Sequence, residues 1–351
     1  MLRNKSVSVK AEKPNVLLIY TGGTIGMVND PKTGSLKAFD FRHLSSQIPE
    51  LERLNVSLDT VSFPEPVDSS EMNPRLWAAV AQQVYDNYAQ YDGFVILHGS
   101  DTMAYTASAL SFMLQGLQKP VILTGSQLPI GTIRTDGKEN IITAIEIAAD
   151  RDENGQAKIQ EVAIYFEYSL YRGNRTTKVS ASHFEAFKSP NYPELAIAGI
   201  QIAYQLRESY TQAEEPVFFT DFDNRIALLK VYPGFSAEIY AGIFNPELVK
   251  GIVIESFGAG NVPTDLKFQQ LVSDYLAAGG VILNITQCST GMVDQGKYQT
   301  SSFFSKIGVT GGRDLTTEAA ITKMMYLIGK YPDRDTVIRK LGENICGEMS
   351  L

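Results

Sequence analysis

The chain has 351 residues, of which 44% are apolar and 20% charged, and a formal net charge of −8. That length predicts two compact domains rather than one core, and the composition excludes a fibrous or disordered chain. The acidic balance disfavours nucleic acid and anionic membranes as partners, while two cysteines without C-x-x-C spacing and three scattered histidines exclude a disulfide framework and disfavour a His/Cys metal cage.

Residues Met1–Asn15 are polar and lysine-bearing, and read as a frayed leader rather than a signal peptide. No apolar run approaches the roughly 20 residues that span a bilayer. The expectation is a soluble, cytoplasmic protein. Val16–Tyr20 reads as a buried strand leading into Thr21-Gly22-Gly23-Thr24. Pro74–Tyr91 reads as a helix capped by Asn73, with Pro74 at its first position. Phe94–His98 is a second strand, followed by Gly99-Ser100-Asp101-Thr102 and a helix over Met103–Gln115. Val121–Thr124 is a third, followed by Gly125-Ser126-Gln127, and Lys138–Ala149 a further helix after Asp136-Gly137. Ala163–Phe166 is another strand, with an irregular, basic stretch after it.

Around Arg207–Asn224 the pattern breaks into polar sequence that suits a linker. Strand–turn units resume at Ile226–Tyr232, Gly251–Glu255 and Val281–Ile285. Short apolar strands alternating with helices predict mainly parallel sheets covered on both faces. The expected α/β architecture is therefore two three-layer α/β/α domains, a larger N-terminal one over 1–207 and a smaller one over 225–351, joined by a linker at 208–224. Ligands bind outside the carboxyl ends of such strands, where the glycine-rich turns fall.

Three segments carry candidate chemistry. In Thr21–Gly26 the glycines let backbone approach a ligand, so Thr24 could be a nucleophile among N–H donors; a tight turn or a phosphate cradle is the plainer alternative. Neither G-x-G-x-x-G nor G-K-[ST] is present, which leaves a nucleotide-binding reading without its fingerprint. Ser100 and Asp101 join a hydroxyl to a carboxylate just before a helix, where the alternative is an N-cap. His98 precedes no G-x-S-x-G elbow and reads as a structural strand-end residue. Lys178, in Tyr171–Lys178, is either solvated or held near the carboxylate as a proton shuttle.

Taken together, Tyr20–Met27 (YTGGTIGM), Asp92–Leu114, Thr124–Pro129 (TGSQLP), Tyr171–Lys178 (YRGNRTTK) and Asn284–Cys288 (NITQC) resemble the bacterial-type L-asparaginase/glutaminase family, in its cytoplasmic type I branch, over residues 15–345. The resemblance implies an amidohydrolase without metal or organic cofactor. It would convert L-asparagine to L-aspartate and ammonia through an acyl ester on Thr24, with Ser100, Asp101 and Lys178 as catalytic partners. Glutaminase or dual activity is the alternative; an amidase acting on charged tRNA and a non-catalytic sensor of the same fold are more remote. It also implies that Asp68, Ser69, Ser70, Ser100, Asp101 and Ser126 bind substrate. Thr177 and Cys288 would mark a second, activating asparagine site, although Cys288 reads more readily as a small packed side chain. The likeness further implies a homo-oligomer, dimer or tetramer. Two positions depart from the pattern. Ser100 stands where the family usually has threonine, losing the methyl that restricts χ1. The stretch Val28–Ala38 lacks the tyrosine many relatives carry there, with Ser35 near its place, and Tyr298 is the candidate substitute.

Overall fold

The computed structural model describes residues 13–29, 36–38, 48–205, 215–295 and 299–351. The leader up to residue 12, Ser35, residues 206–214 with the first part of the expected linker, and Tyr298 lie outside them. The N-terminal part includes the strands β1 (Asn15–Tyr20), β2 (Ser57–Ser62), β3 (Gly93–Leu97), β4 (Val121–Thr124), β5 (Val162–Phe166), β6 (Ser169–Arg172), β7 (Thr177–Lys178), β8 (Phe187–Lys188), β9 (Ala196–Ala198) and β10 (Ile202–Tyr204), beside short paired segments at Met27–Asn29, Leu36–Ala38 and Leu114–Gln115. All but β7 and β8 form one eight-stranded sheet of order β10-β9-β6-β5-β4-β3-β1-β2. The five strands from β2 to β5 run parallel, and β6, β9 and β10 extend the sheet antiparallel. Strands β7 and β8 pair separately.

The apolar runs read from sequence are buried because both sheet faces are covered. Leu17, Ile19, Phe94 and Ile96 pack on one face with helices α1 (Pro74–Asn87) and α2 (Met103–Met113). Val16, Leu18, Val95 and Leu97 pack on the other against α3 (Gly137–Ala149). The C-terminal part carries a second, all-parallel sheet of sequential order, β11 (Ile226–Lys230), β12 (Gly251–Ser256), β13 (Val281–Thr286) and β14 (Thr310–Gly311). Helix α4 (Leu266–Ala277) covers one face, through Phe268, Val272 and Tyr275. Val253, Leu283 and Ile285 on the other face join the N-terminal core through α6 (Thr317–Lys330). The remaining helices are α5 (Gln299–Ile307) and α7 (Arg334–Leu341). The chain is thus two α/β units, the larger first, with mainly parallel sheets.

Several local expectations shift. Asn73 caps α1 by accepting from the N–H groups of Arg75 and Leu76 at 3.1 and 3.3 Å. The helix stops at Asn87 rather than Tyr91, where the backbone tightens into i→i+3 turns, Tyr88 N–H on the carbonyl of Tyr85 at 3.2 Å and Gln90 N–H on that of Asn87 at 3.0 Å. The Lys119 ammonium takes the carbonyls of Tyr88 and Tyr91 at 2.6 and 2.8 Å. Helix α2 ends at Met113 rather than Gln115, since Leu114–Gln115 pairs with Val217–Phe218. The stretch after Phe166 is not irregular: β5 and β6 form a hairpin, turning at Glu167 and Tyr168, both with positive φ (52° and 37°). That backbone matches a two-residue hairpin turn, but without Gly or Asn it leaves no sequence signal.

The last residues seal the second unit onto the first. Lys323, fully buried, pairs with Glu348 at 2.7 Å and donates to the carbonyl of Leu341 at 3.1 Å. Arg175 donates to both carboxylate oxygens of Asp314, at 3.1 and 2.8 Å, and to the carbonyl of Glu348 at 2.9 Å. Such pairs are costly to desolvate, and lose most when one partner is removed.

Candidate active site

In a parallel sheet of this order the chain leaves β1 toward β2 and β3 on opposite sides. The crevice of such a fold lies at that reversal. Thr24 follows β1, and Ser100 and Asp101 follow β3, so the topology alone puts both turns there.

Glycine then lets the turns meet. Gly23, at φ +90°, lies so close to the next turn that an added Cβ would sit 2.5 Å from the Cα and N of Gly99. Gly99 in turn faces Ser69, whose Oγ a Cβ would meet at 2.6 Å. The turns carrying Thr24 and Ser100 are therefore stacked backbone on backbone, and the Ser69 side chain packs against Gly99 from the third turn. The N–H of Val67 donates to the carbonyl of Thr21 at 2.8 Å, and the hydroxyl of Thr102 to the carbonyl of Ser69 at 2.6 Å. Half-buried Thr24 opens a 3-10 turn, Thr24–Gly26, closed by Gly26 N–H on the carbonyl of Gly23 at 3.2 Å. Tyr20 braces the same turn, its hydroxyl donating to the carbonyl of Gly26. Burial pushes the Tyr20 phenol up to about 12, so it stays protonated at neutral pH.

Ser100 and Asp101 do not cap α2. Its cap position is Thr102, which makes no side-chain capping bond. Instead the Lys178 ammonium, only 14% exposed, donates to Ser100 Oγ at 2.9 Å and to Asp101 Oδ1 at 2.7 Å. Lys178 reaches them from the end of β7, 78 residues along the chain from Ser100. The lysine is thus engaged rather than solvated. Asp101 itself is 73% exposed, leaving its carboxylate open to a ligand.

Asp68 accepts from the N–H and hydroxyl of Ser70, both at 2.9 Å, which hold its carboxyl below the usual range. Ser69 is buried under Gly99. Ser126 is buried too, and its hydroxyl donates to the carbonyl of Leu128 at 2.6 Å.

His98 is a structural residue. Its Nδ1–H donates to the carbonyl of Gly99 at 2.7 Å, and its Nε2 accepts from Thr106, which accepts in turn from the Trp77 indole at 3.0 Å. That network assigns the neutral tautomer. Complete burial lowers the imidazole to about 4.

Thr177 and Cys288 line one cavity of about 240 Å³, with Glu255, Thr286 and Glu318. The Thr177 hydroxyl donates to Glu318 at 2.7 Å, and burial raises that carboxyl. Cys288 is exposed. The packed-side-chain expectation is therefore wrong: its segment leaves β13 and emerges at the cavity edge instead of entering the core. Two residues at this site carried no sequence signal, Gln127 and Glu318, because their partners lie far away in the chain. Among the described residues, no group of three or more His, Cys, Asp or Glu side chains is arranged to hold a metal ion.

Comparison with known proteins resolves the family. Residues 15–210 match the model "Asparaginase, N-terminal" and residues 225–341 match "Glutaminase/Asparaginase C-terminal domain". The chain belongs to the asparaginase/glutaminase family. This family member is 40% identical to L-asparaginase 1 of Escherichia coli K12, covering 97% of this chain and 99% of that one. It is similar in structure to L-asparaginase I of Vibrio cholerae, with a TM-score of 0.87 and 35% identity over 97% and 100% of the two chains. It is also 38% identical to the mouse 60 kDa lysophospholipase, covering 96% of this chain but 62% of that protein. These full-length matches to type I enzymes place the chain in the type I branch.

Two outcomes follow from the packing. Gly23→Ala adds a Cβ onto the Gly99 backbone at positive φ, and should destabilise the fold by about 3 kcal/mol; urea unfolding of the variant beside the parent measures it. His98 binds a proton more readily unfolded, near 6.5, than folded, near 4. Its contribution is thus present above about pH 6.5, lost as pH falls toward 4, and worth up to ~3 kcal/mol. Between pH 7 and 4.5, His98→Asn should lose less melting temperature than the parent.

Proposed function

We propose that this chain is an L-asparaginase that hydrolyses L-asparagine to L-aspartate and ammonia, with Thr24 as the attacking group. The observation that carries the reading is the Lys178–Ser100–Asp101 contact, standing against the turn that presents Thr24. It is supported by the relatives named L-asparaginase.

In this mechanism Thr24 Oγ bonds to the side-chain carboxamide carbon. The C–N bond then breaks, and the hydroxyl proton leaves with ammonia. Lys178 and Ser100 form a hydrogen-bonded path along which that proton moves. Backbone N–H groups of the glycine-rich turns face the oxyanion. Water then attacks the β-aspartyl ester, releasing aspartate and restoring the Thr24 hydroxyl. Asp101 and Asp68 meet the substrate's α-amino group, and Ser69 and Ser70 the α-carboxylate. The carbonyl of Ser126 accepts from the leaving amide. No step calls on a cofactor. The residue that first takes the proton from Thr24 remains a candidate role for Tyr298.

The reading extends to assembly and control. The protein works as a cytoplasmic homo-oligomer, dimer or tetramer. Its domains divide at 208–224, with the first carrying the catalytic groups. Thr177 and Cys288 mark a second asparagine site at the cavity beside Lys178, which Glu255 and Glu318 also line. No helix among the described residues is long and apolar enough to cross a membrane.

The test is ammonia release from asparagine and from glutamine, with the parent and Thr24→Ala in parallel. The parent should favour asparagine, and Thr24→Ala should lose at least about a hundredfold in kcat, as expected when a nucleophile is removed. Equal rates from the two proteins would refute the assignment of Thr24.

A further inference from the structure

We infer that Gln127 is a positioning residue that fixes the rotamer of Ser100, supplying by hydrogen bonding the restraint that a β-branched side chain would supply by shape. The inference rests on the reading of Ser100 as part of the catalytic set. Serine has three open χ1 wells, whereas a second heavy atom on Cβ restricts the choice. Position 100 therefore needs something besides its own covalent structure to hold Oγ toward Lys178.

The structure supplies a directed chain. The Lys178 ammonium can only donate, so Ser100 Oγ accepts from it at 2.9 Å. The Ser100 proton then goes to Gln127 Oε1 at 3.2 Å. Gln127 cannot exchange its amide oxygen and nitrogen, because Nε2 already donates to the carbonyl of His183 at 2.9 Å. Reversing the amide would set an oxygen against that carbonyl. Gln127 is also clamped from behind. Its N–H donates to both oxygens of Asp136, at 3.1 and 2.9 Å, and the N–H of Leu128 adds a third bond at 3.2 Å. Asp136 is buried, and the Asn140 amide that touches it also holds the carbonyl of Gly125 at 3.0 Å. A side chain half-open to solvent, on a backbone held this firmly, acts as a fixed post. It also spans two segments, since His183 lies in the turn that follows the Lys178 strand.

The experiment is a cycle of four proteins assayed for asparagine hydrolysis: the parent, Gln127→Met, Ser100→Thr and the double variant, with Gln127→Ala as a second truncation. Gln127→Met keeps the volume and removes both hydrogen bonds, so it reports positioning without a cavity. In the parent background each Gln127 variant should lower kcat/KM about tenfold, as small misplacements of a reacting group do. In the Ser100→Thr background the same change should cost less than about threefold, because the added methyl now restricts χ1. A purely structural role would give equal losses in both backgrounds. Equal losses, or no loss in either, would overturn the inference. Thr24-dependent ammonia release by the parent is measured alongside. If it is absent, the functional reading falls and this inference with it; if it is present, the cycle alone decides the role of Gln127.

Discussion

Everything at the site depends on one close approach, the backbone of Gly23 against the backbone of Gly99. Strands β1 and β3 are neighbours, so their following turns start about a strand spacing apart. A Cβ at Gly23 would force them further apart, and one at Gly99 would push away Ser69. With hydrogen there, the Thr24 turn rests directly on the Ser100 turn, and the Ser69 turn rests on the other side of Gly99. The sheet supplies the location and the glycines supply the distance. The contact is local, yet it decides whether a hydroxyl from one segment and a carboxylate from another can address one ligand.

A second layer brings the charge. Lys178 lies beyond the parallel part of the sheet, and its segment is fixed by the C-terminal unit. Arg175 is held by Asp314 and the carbonyl of Glu348, and Thr177 by Glu318. Glu348 is itself locked on buried Lys323. The lysine that meets Ser100 and Asp101 is therefore positioned by residues more than 130 places further along the chain. The second unit thus holds the Lys178 segment in place although Lys178, Ser100 and Asp101 all belong to the first. It also puts the cavity lined by Thr177 and Cys288 next to Lys178 in the chain.

Much of this was legible in the sequence, for identifiable reasons. The buried parallel strands read clearly because both faces are covered, giving unbroken runs such as Phe94–Leu97. Their glycine-rich turns marked the crevice. Strand β2 (SLDTVS) was not legible, since an edge strand with four of its six residues exposed and no regular alternation looks like polar loop. The β5–β6 hairpin was hidden by a turn made of Glu167 and Tyr168. At the site, Thr24, Ser100 and Asp101 stood out from local pattern. Lys178 could be read only as either solvated or a proton shuttle, because its partners are 77 and 78 residues distant. Gln127 escaped for the same reason, with its hydrogen-bond partners 27 and 56 residues away. Exposure of Cys288 could not be read either, because a cysteine after an apolar strand fits a core as readily as a rim.

The central claim, that Thr24 carries the acyl group, is tested most directly by catching the ester. The protein is mixed with L-asparagine and quenched in acid during turnover, and its peptides are weighed by mass spectrometry. The account predicts one aspartyl group on the peptide containing Thr24, and none on that peptide from Thr24→Ala. An aspartyl group on the peptide containing Ser100 instead, or parental turnover by Thr24→Ala, would contradict it.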